Sequence, residues 1–201
     1  MSWIKTVAYA DAGGRLRKLY DRVKGPDDNV DNIMMAHSLR PHSMEGHMAL
    51  YKYVLHHSSN TVPKWFLEVI GVWVSLLNTC AYCAEHHFAG LARLEPPVDT
   101  DALYAALAAR DLAATGLGEK YVAALEYAET LTVRPAEMVE GDVAALRQAG
   151  FDDGEILEIN QVTAYFSYAN RTVLGLGVST DGDVLGLSPG NSADADDWSH
   201  S

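Results

Sequence analysis

The stretch Asn78-Thr79-Cys80-Ala81-Tyr82-Cys83-Ala84-Glu85-His86-His87 holds both cysteines of the chain, in a Cys-x-x-Cys spacing. On an α-helix Cys80, Cys83 and His87 lie one turn apart in succession, within roughly 60° of arc, so two sulfurs and an imidazole share a face. At a helix start, free backbone N–H groups and the positive helix end stabilise a thiolate, and the neighbouring thiol can close a disulfide. A histidine one turn on can carry a proton to or from sulfur near neutral pH. All of these roles presuppose a helix, and the flanking sequence supplies helices on both sides.

Upstream, Trp65, Phe66, Val69, Val72, Trp73, Leu76 and Leu77 recur at helical spacing behind Pro63, a first-turn residue. That helix is expected to stop near Asn78-Thr79, and the next runs from about Cys80 to Leu94, closed by Glu95-Pro96-Pro97. Ser43 can cap a helix to about His57, with Met44, Met48, Tyr51 and Leu55 on one stripe, before the turn Ser58-Ser59-Asn60. Downstream, Asp99 or Thr100 caps a helix to about Ala113, and Gly116-Leu117-Gly118 separates it from another over 119–132. A short segment after Pro135 is interrupted by Gly141, and residues 142–149 end at Gly150. Asp152 or Asp153 then caps a long helix to about Leu174, stopped by Gly175 and Gly177.

Residues 1–24 read as an extended arm leading into a short amphipathic piece that Gly25-Pro26 ends. The fold expected is all-α, with roughly seven to nine helices and almost no strand-like alternation. Residues 1–178 form one domain in this reading. Residues 179–201, rich in Asp, Ser and Gly, read as a solvated, mobile acidic tail.

Composition narrows the function. The net charge is -12, from 27 acidic and 15 basic residues, and no Lys/Arg cluster offsets it, so no nucleic-acid partner is expected. The longest apolar stretch, residues 65–77, is broken by Glu68 and too short to span a bilayer, so no membrane partner is expected. Residues 1–10 carry no basic run followed by an apolar one, and a cytoplasmic location is the expectation. Two closely spaced cysteines in such a protein point to redox or metal chemistry rather than a disulfide framework.

Glu68 interrupts an apolar helix face twelve residues before Cys80, where a carboxylate is costly to bury without a partner. Antiparallel packing of the two helices would return it toward His87, to orient the imidazole. With that spacing, Glu68, Cys80, Cys83 and His87 match an E-x11-C-x2-C-x3-H signature. In it the chain resembles the alkylhydroperoxidase D-like, peroxidase-related members of the carboxymuconolactone decarboxylase superfamily. Residues 125–130, 139–153 and 165–177, the last with Asn170-Arg171, look similar to helices of those proteins, and the likeness covers most of residues 35–178.

The resemblance implies an alkylhydroperoxidase D-like helical bundle, assembled as a homo-oligomer (trimer or hexamer). It implies reduction of a small hydroperoxide by the dithiol, with an external dithiol or protein reductant restoring it. Carried over by position, Cys83 would attack, Cys80 would resolve, and Glu68 and His87 would relay protons. Helix-terminus electrostatics instead favours Cys80 as the more acidic thiol, while His87 favours Cys83, so the order of attack stays open. Where the best-studied members carry a histidine between the cysteines this chain has Tyr82, an arm of the relay replaced by a weak acid.

Other readings keep the fold and change the role: a lactone or acid decarboxylase-type lyase, or a non-catalytic redox-sensing protein. The cysteine pair as half of a zinc site would need four ligands at compatible spacing, with His86, His42, His47, His56 or His57 reaching in, and no metal is expected. His42, His47, His56 and His57 otherwise read as surface or packed histidines, and Met34, Met35, Met44 and Met48 as core or interface. Trp65 and Trp73 read as core, and Asn170 and Arg171 as structural hydrogen-bonders. Gly175-Leu176-Gly177 follows a helix rather than a strand, so no nicotinamide or flavin cofactor is expected.

Overall fold

A computed structural model describes residues 2–201, and among them it contains nine α-helices and no β-strand beyond two isolated bridges. α4 (Lys64–Leu77) is the axis of the structure, packed against α5 (Ala81–Ala92), α7 (Glu119–Val133) and α9 (Asp153–Leu176). Its sequence explains that position. Phe66, Val69, Ile70, Val72, Trp73 and Val74 are fully buried and point in every direction around the helix, which only a central helix can satisfy. The Trp73 indole N–H donates to the Leu125 carbonyl on α7 at 3.0 Å, so even its polar atom is paired.

The remaining helices are α1 (Gly14–Val23), α2 (Asn32–Ala36), α3 (Pro41–Leu55), α6 (Thr100–Ala108) and α8 (Glu140–Gln148). α3 lies beside α1, α4 and α9, with Met44 and Met48 wholly buried; Trp65 is only partly buried. α9 starts in a reciprocal cap: Asp152 accepts from the Glu155 N–H at 2.8 Å while Glu155 accepts from the Asp152 N–H at 3.0 Å. It passes the expected stop at Gly175 and ends at Gly177, whose φ of 59° glycine adopts without penalty.

Several boundaries differ from the sequence reading. α3 starts at Pro41, a residue suited to the first turn, so Ser43, expected as its cap, lies inside the helix. α2 carried no recognisable period because it is a single short turn. The helix expected to reach Ala113 ends at Ala108, because Asp111 caps a separate 3₁₀ turn, Leu112–Thr115, by accepting from the Ala114 N–H. Gly141 does not interrupt α8: the Asp142 carboxylate accepts from the Val139 N–H at 2.8 Å and starts the helix ahead of that glycine.

The largest difference lies after residue 178. The acidic segment, expected to be solvated, is laid across the helical body in this structure. Buried Lys52 donates through Nζ to the Gly190 carbonyl at 2.5 Å and to Ser192 Oγ at 2.9 Å. Arg22 lies 3.7 Å over the buried Trp198 ring and pairs with Asp196. Gly186, at φ 79°, approaches α5 so closely that a Cβ there would meet the Ala89 carbonyl carbon at 2.8 Å. Acidic composition concealed a segment held by a few specific anchors, the buried Trp198 and the Gly190 carbonyl among them.

Candidate active site

α4 and α5 are joined by Asn78-Thr79-Cys80, and the turn is strained: Thr79 sits at φ 57°, a conformation a β-branched residue rarely adopts. That residue ends one helix and delivers Cys80 to the N-cap of the next, with the Cys80 N–H donating to the Ser75 carbonyl at 2.8 Å. Cys83 then lies one turn into α5. Both cysteines are buried free thiols.

A hydrogen bond between the two sulfur groups, with the Cys83 backbone N–H, lowers the Cys80 thiol from its usual range. The same contact with Cys80, together with burial, raises Cys83. Cys80 is therefore the more acidic of the two thiols, in the direction the helix-terminus argument gives. Asn170 on α9, fully buried, donates to Ser75 Oγ at 3.1 Å and accepts from Asn78 at 2.9 Å, and it lies within hydrogen-bonding reach of Cys83. It pins the cysteine turn to the last helix.

The antiparallel packing of α4 and α5 brings Glu68 and His87 together: His87 Nδ1 and Glu68 Oε2 are 2.7 Å apart. The His87 ring also stands edge-on to Phe166 at 4.5 Å. Cys83, His87 and Glu68 all line one cavity of about 40 Å³, room for a few water-sized groups. A neighbouring space of about 160 Å³ shares Glu68, Gly90, Gly186 and Ser188 with it and adds Lys64 and Arg93. Cys80 does not line this cavity. It borders a separate outer depression of about 180 Å³, between Leu76, Thr79, Glu85 and Tyr104.

The cavity is walled by more than the three predicted residues that reach it. Tyr51 and Tyr165 stack at 5.4 Å, and burial raises both phenols well above their usual value, so they are O–H donors at any working pH. His47 and His200 line it as well, and burial pushes them down to about 3 and about 4. His86, the neighbour of His87 on α5, lines the same cavity. Its Nε2 lies 3.2 Å from Asp183 Oδ2, and that carboxylate also accepts from Tyr82 Oη at 2.8 Å and from the Asn32 N–H at 3.0 Å. Asp31 completes this wall, its carboxyl pushed up to about 6 chiefly by burial.

His47 is thus a wall residue rather than a surface one, and His56 is buried in the same aromatic cluster, 4.5 Å from Tyr51. His42 is exposed and His57 partly so, away from the cavity. Among the described residues no group of three or more His, Cys, Asp or Glu is placed to hold a metal ion, and no helix is long and apolar enough to cross a membrane.

No protein-family description matches the sequence, and no curated protein matches it. The three-dimensional structure does have likenesses, and its fold is that of the alkylhydroperoxidase D-like core. It is similar to an alkylhydroperoxidase AhpD core, peroxidase-related protein of Ralstonia eutropha JMP134 at 24% identity and a TM-score of 0.75, over 89% of this chain and 91% of that one. It is also similar to a peroxidase-related protein of Silicibacter sp. TM1040 at 27% identity and a TM-score of 0.68, over 75% and 76% of the two chains. The debrominase Bmp8, in a complex with 2,3,4-tribromopyrrole, shares the fold at 16% identity and a TM-score of 0.68, over 89% and 93%.

Proposed function

We propose that the protein is a thiol-dependent hydroperoxide reductase whose redox-active pair is Cys80 and Cys83. The observation that carries this reading is the combination of paired sulfurs, one charge-stabilised, with a buried His87–Glu68 couple at a cavity that only Cys83 faces. Cys80, the more acidic of the pair, acts as a thiolate in the cycle, and the Cys83 proton passes to the relay ending on His87 and Glu68. The Cys83 thiolate then attacks the terminal oxygen of a hydroperoxide. The O–O bond breaks, the alcohol departs with one proton, and Cys83 becomes a sulfenic acid. Cys80 attacks the Cys83 sulfur, hydroxide leaves as water with a proton from the relay, and the disulfide closes.

The two openings suit the two half-reactions. The peroxide head fits the small cavity at Cys83, its organic part the wider space beyond. An external dithiol reaches the disulfide from the outer depression at Cys80, leaving Cys83 as the departing thiolate. The test is peroxide consumption with a dithiol reductant. Wild-type turnover should exceed that of Cys83→Ser by at least about 100-fold, as loss of a nucleophile demands. Equal rates would overturn the reading.

The aromatic wall of Tyr51 and Tyr165 and the debrominase fold favour one further substrate class, halogenated aromatic rings. The same two thiols would supply the two electrons that replace bromine by hydrogen, ending as the same disulfide. Bromide release from a bromopyrrole with a dithiol, absent in Cys83→Ser, is the expected sign; no release discards this second class.

A further inference from the structure

We infer that His86, held by Asp183 of the C-terminal segment, is a second proton-transfer group that serves the substrate's leaving oxygen. This rests on the hydroperoxide reading above. Peroxide reduction needs protons at two places: one leaves the attacking sulfur and one arrives on the alkoxide. A single histidine cannot receive the first and deliver the second at the same moment.

The cavity has two carboxylate–histidine pairs on different walls. His87–Glu68 stands on the α4 and α9 side, against Phe166. His86–Asp183 stands on the side of Tyr82, with the imidazole 4.5 Å from the Tyr82 ring. On one helix adjacent residues diverge by about 100°, so the two rings address different ends of a bound molecule.

Asp183 is built for positioning. Its side chain is 2% exposed with no lysine or arginine against it among the described residues, and three donors converge on its oxygens: Tyr82 Oη and the Asn32 N–H besides His86 Nε2. A carboxylate buried at this cost orients the imidazole and offsets the charge the ring carries while it holds a proton. The other ionisable groups facing His86 are Asp31, ahead of α2, and His200, near the end of the chain, with His200 Nε2 4.0 Å from Asp31 Oδ2. The Tyr82 phenol, pushed up by burial, anchors Asp183 and does not titrate near neutrality.

The step is balanced. The Cys83 thiolate gives its electron pair to the terminal oxygen, and the O–O pair moves to the inner oxygen. That oxygen takes the His86 proton and leaves as alcohol, and His86 regains a proton from solvent.

Two nearly isosteric oxidants isolate this role: ethyl hydroperoxide, whose alkoxide must be protonated on leaving, and peracetic acid, whose carboxylate need not be. Disulfide formation in a single turnover is followed for each, in the full-length protein. His86→Gln should slow ethyl hydroperoxide by about 100-fold, the scale of general-acid catalysis, and peracetic acid by less than about threefold. Asp183→Asn keeps the acceptor for Asn32, removes the charge and should show the same selectivity, weaker. Equal slowing of both oxidants, or of neither, overturns the inference. A wild-type protein inert toward both refutes the peroxidase reading itself.

Discussion

Asp31 shows at the residue scale what this cavity costs. Its carboxyl is buried with a neighbouring carboxylate, Asp183, and burial raises it from 3.8 to about 6. Below pH 3.8 folded and unfolded chains both hold the proton and nothing is lost. As pH rises from there to about 6 the unfolded chain ionises first, and stability falls by about 1.4 kcal/mol per unit of that gap. Asp31→Asn removes a penalty present at pH 8 and nearly absent at pH 4. Its stability relative to wild type, read from denaturant midpoints, should therefore improve by about 2–3 kcal/mol between those pH values. A pH-independent difference would show that the carboxyl is solvated. A stabilising asparagine at a cavity wall is the pattern expected where function retains a strained charge.

Between elements the decisive contact is α4 against α9. Gly71 makes it possible: a Cβ at that position would meet Phe166 Cζ at 2.2 Å, so the aromatic ring lies directly on the helix backbone. Phe166 in turn is the edge-on neighbour of His87, which ties helix spacing to the orientation of the site. Gly71→Ala should cost about 1–3 kcal/mol despite alanine's better helix propensity, because the ring has no empty space to enter. Thermal unfolding would measure it, and an unchanged or higher midpoint would contradict this packing. The sequence showed α3, α4, α5, α7 and α9, since each carries several turns of apolar period and a recognisable cap or stop. It also carried Glu68, Cys80, Cys83 and His87, because two helices joined by a tight turn make contact at predictable spacing. What stayed hidden had no period to reveal it: α2 is a single short turn, and the 3₁₀ turn at Leu112–Thr115 depends on one aspartate side chain.

Across the whole molecule the hidden part is the far wall of the site. Asp31, Asp183 and His200 come from segments of irregular backbone, separated by up to most of the chain, and only tertiary packing brings them together. The acidic residues after position 178 read as solvated because their partners are backbone amides and single side chains rather than an apolar stripe. Asn32 binds the segment through Asp183 and through the Ser179 and Asp181 carbonyls, and Lys52 holds its other half. Since Gly186, Leu187, Ser188 and His200 line the cavity, whatever anchors this segment also closes the site. Lys52 is wholly buried, so Lys52→Met keeps most of the packing volume while removing the ammonium from the Gly190 carbonyl and from Asp197, 3.8 Å away. Leaving those acceptors unpaired should loosen the segment by about 1–3 kcal/mol without touching the α4–α9 core. Amide exchange should then accelerate over residues 186–201 and stay unchanged in α4 and α9. Alkylation of Cys83 by a small reagent should quicken in parallel, because the same opening exposes the cavity. Faster exchange without faster alkylation would mean that the segment covers the helices but does not gate the sulfur.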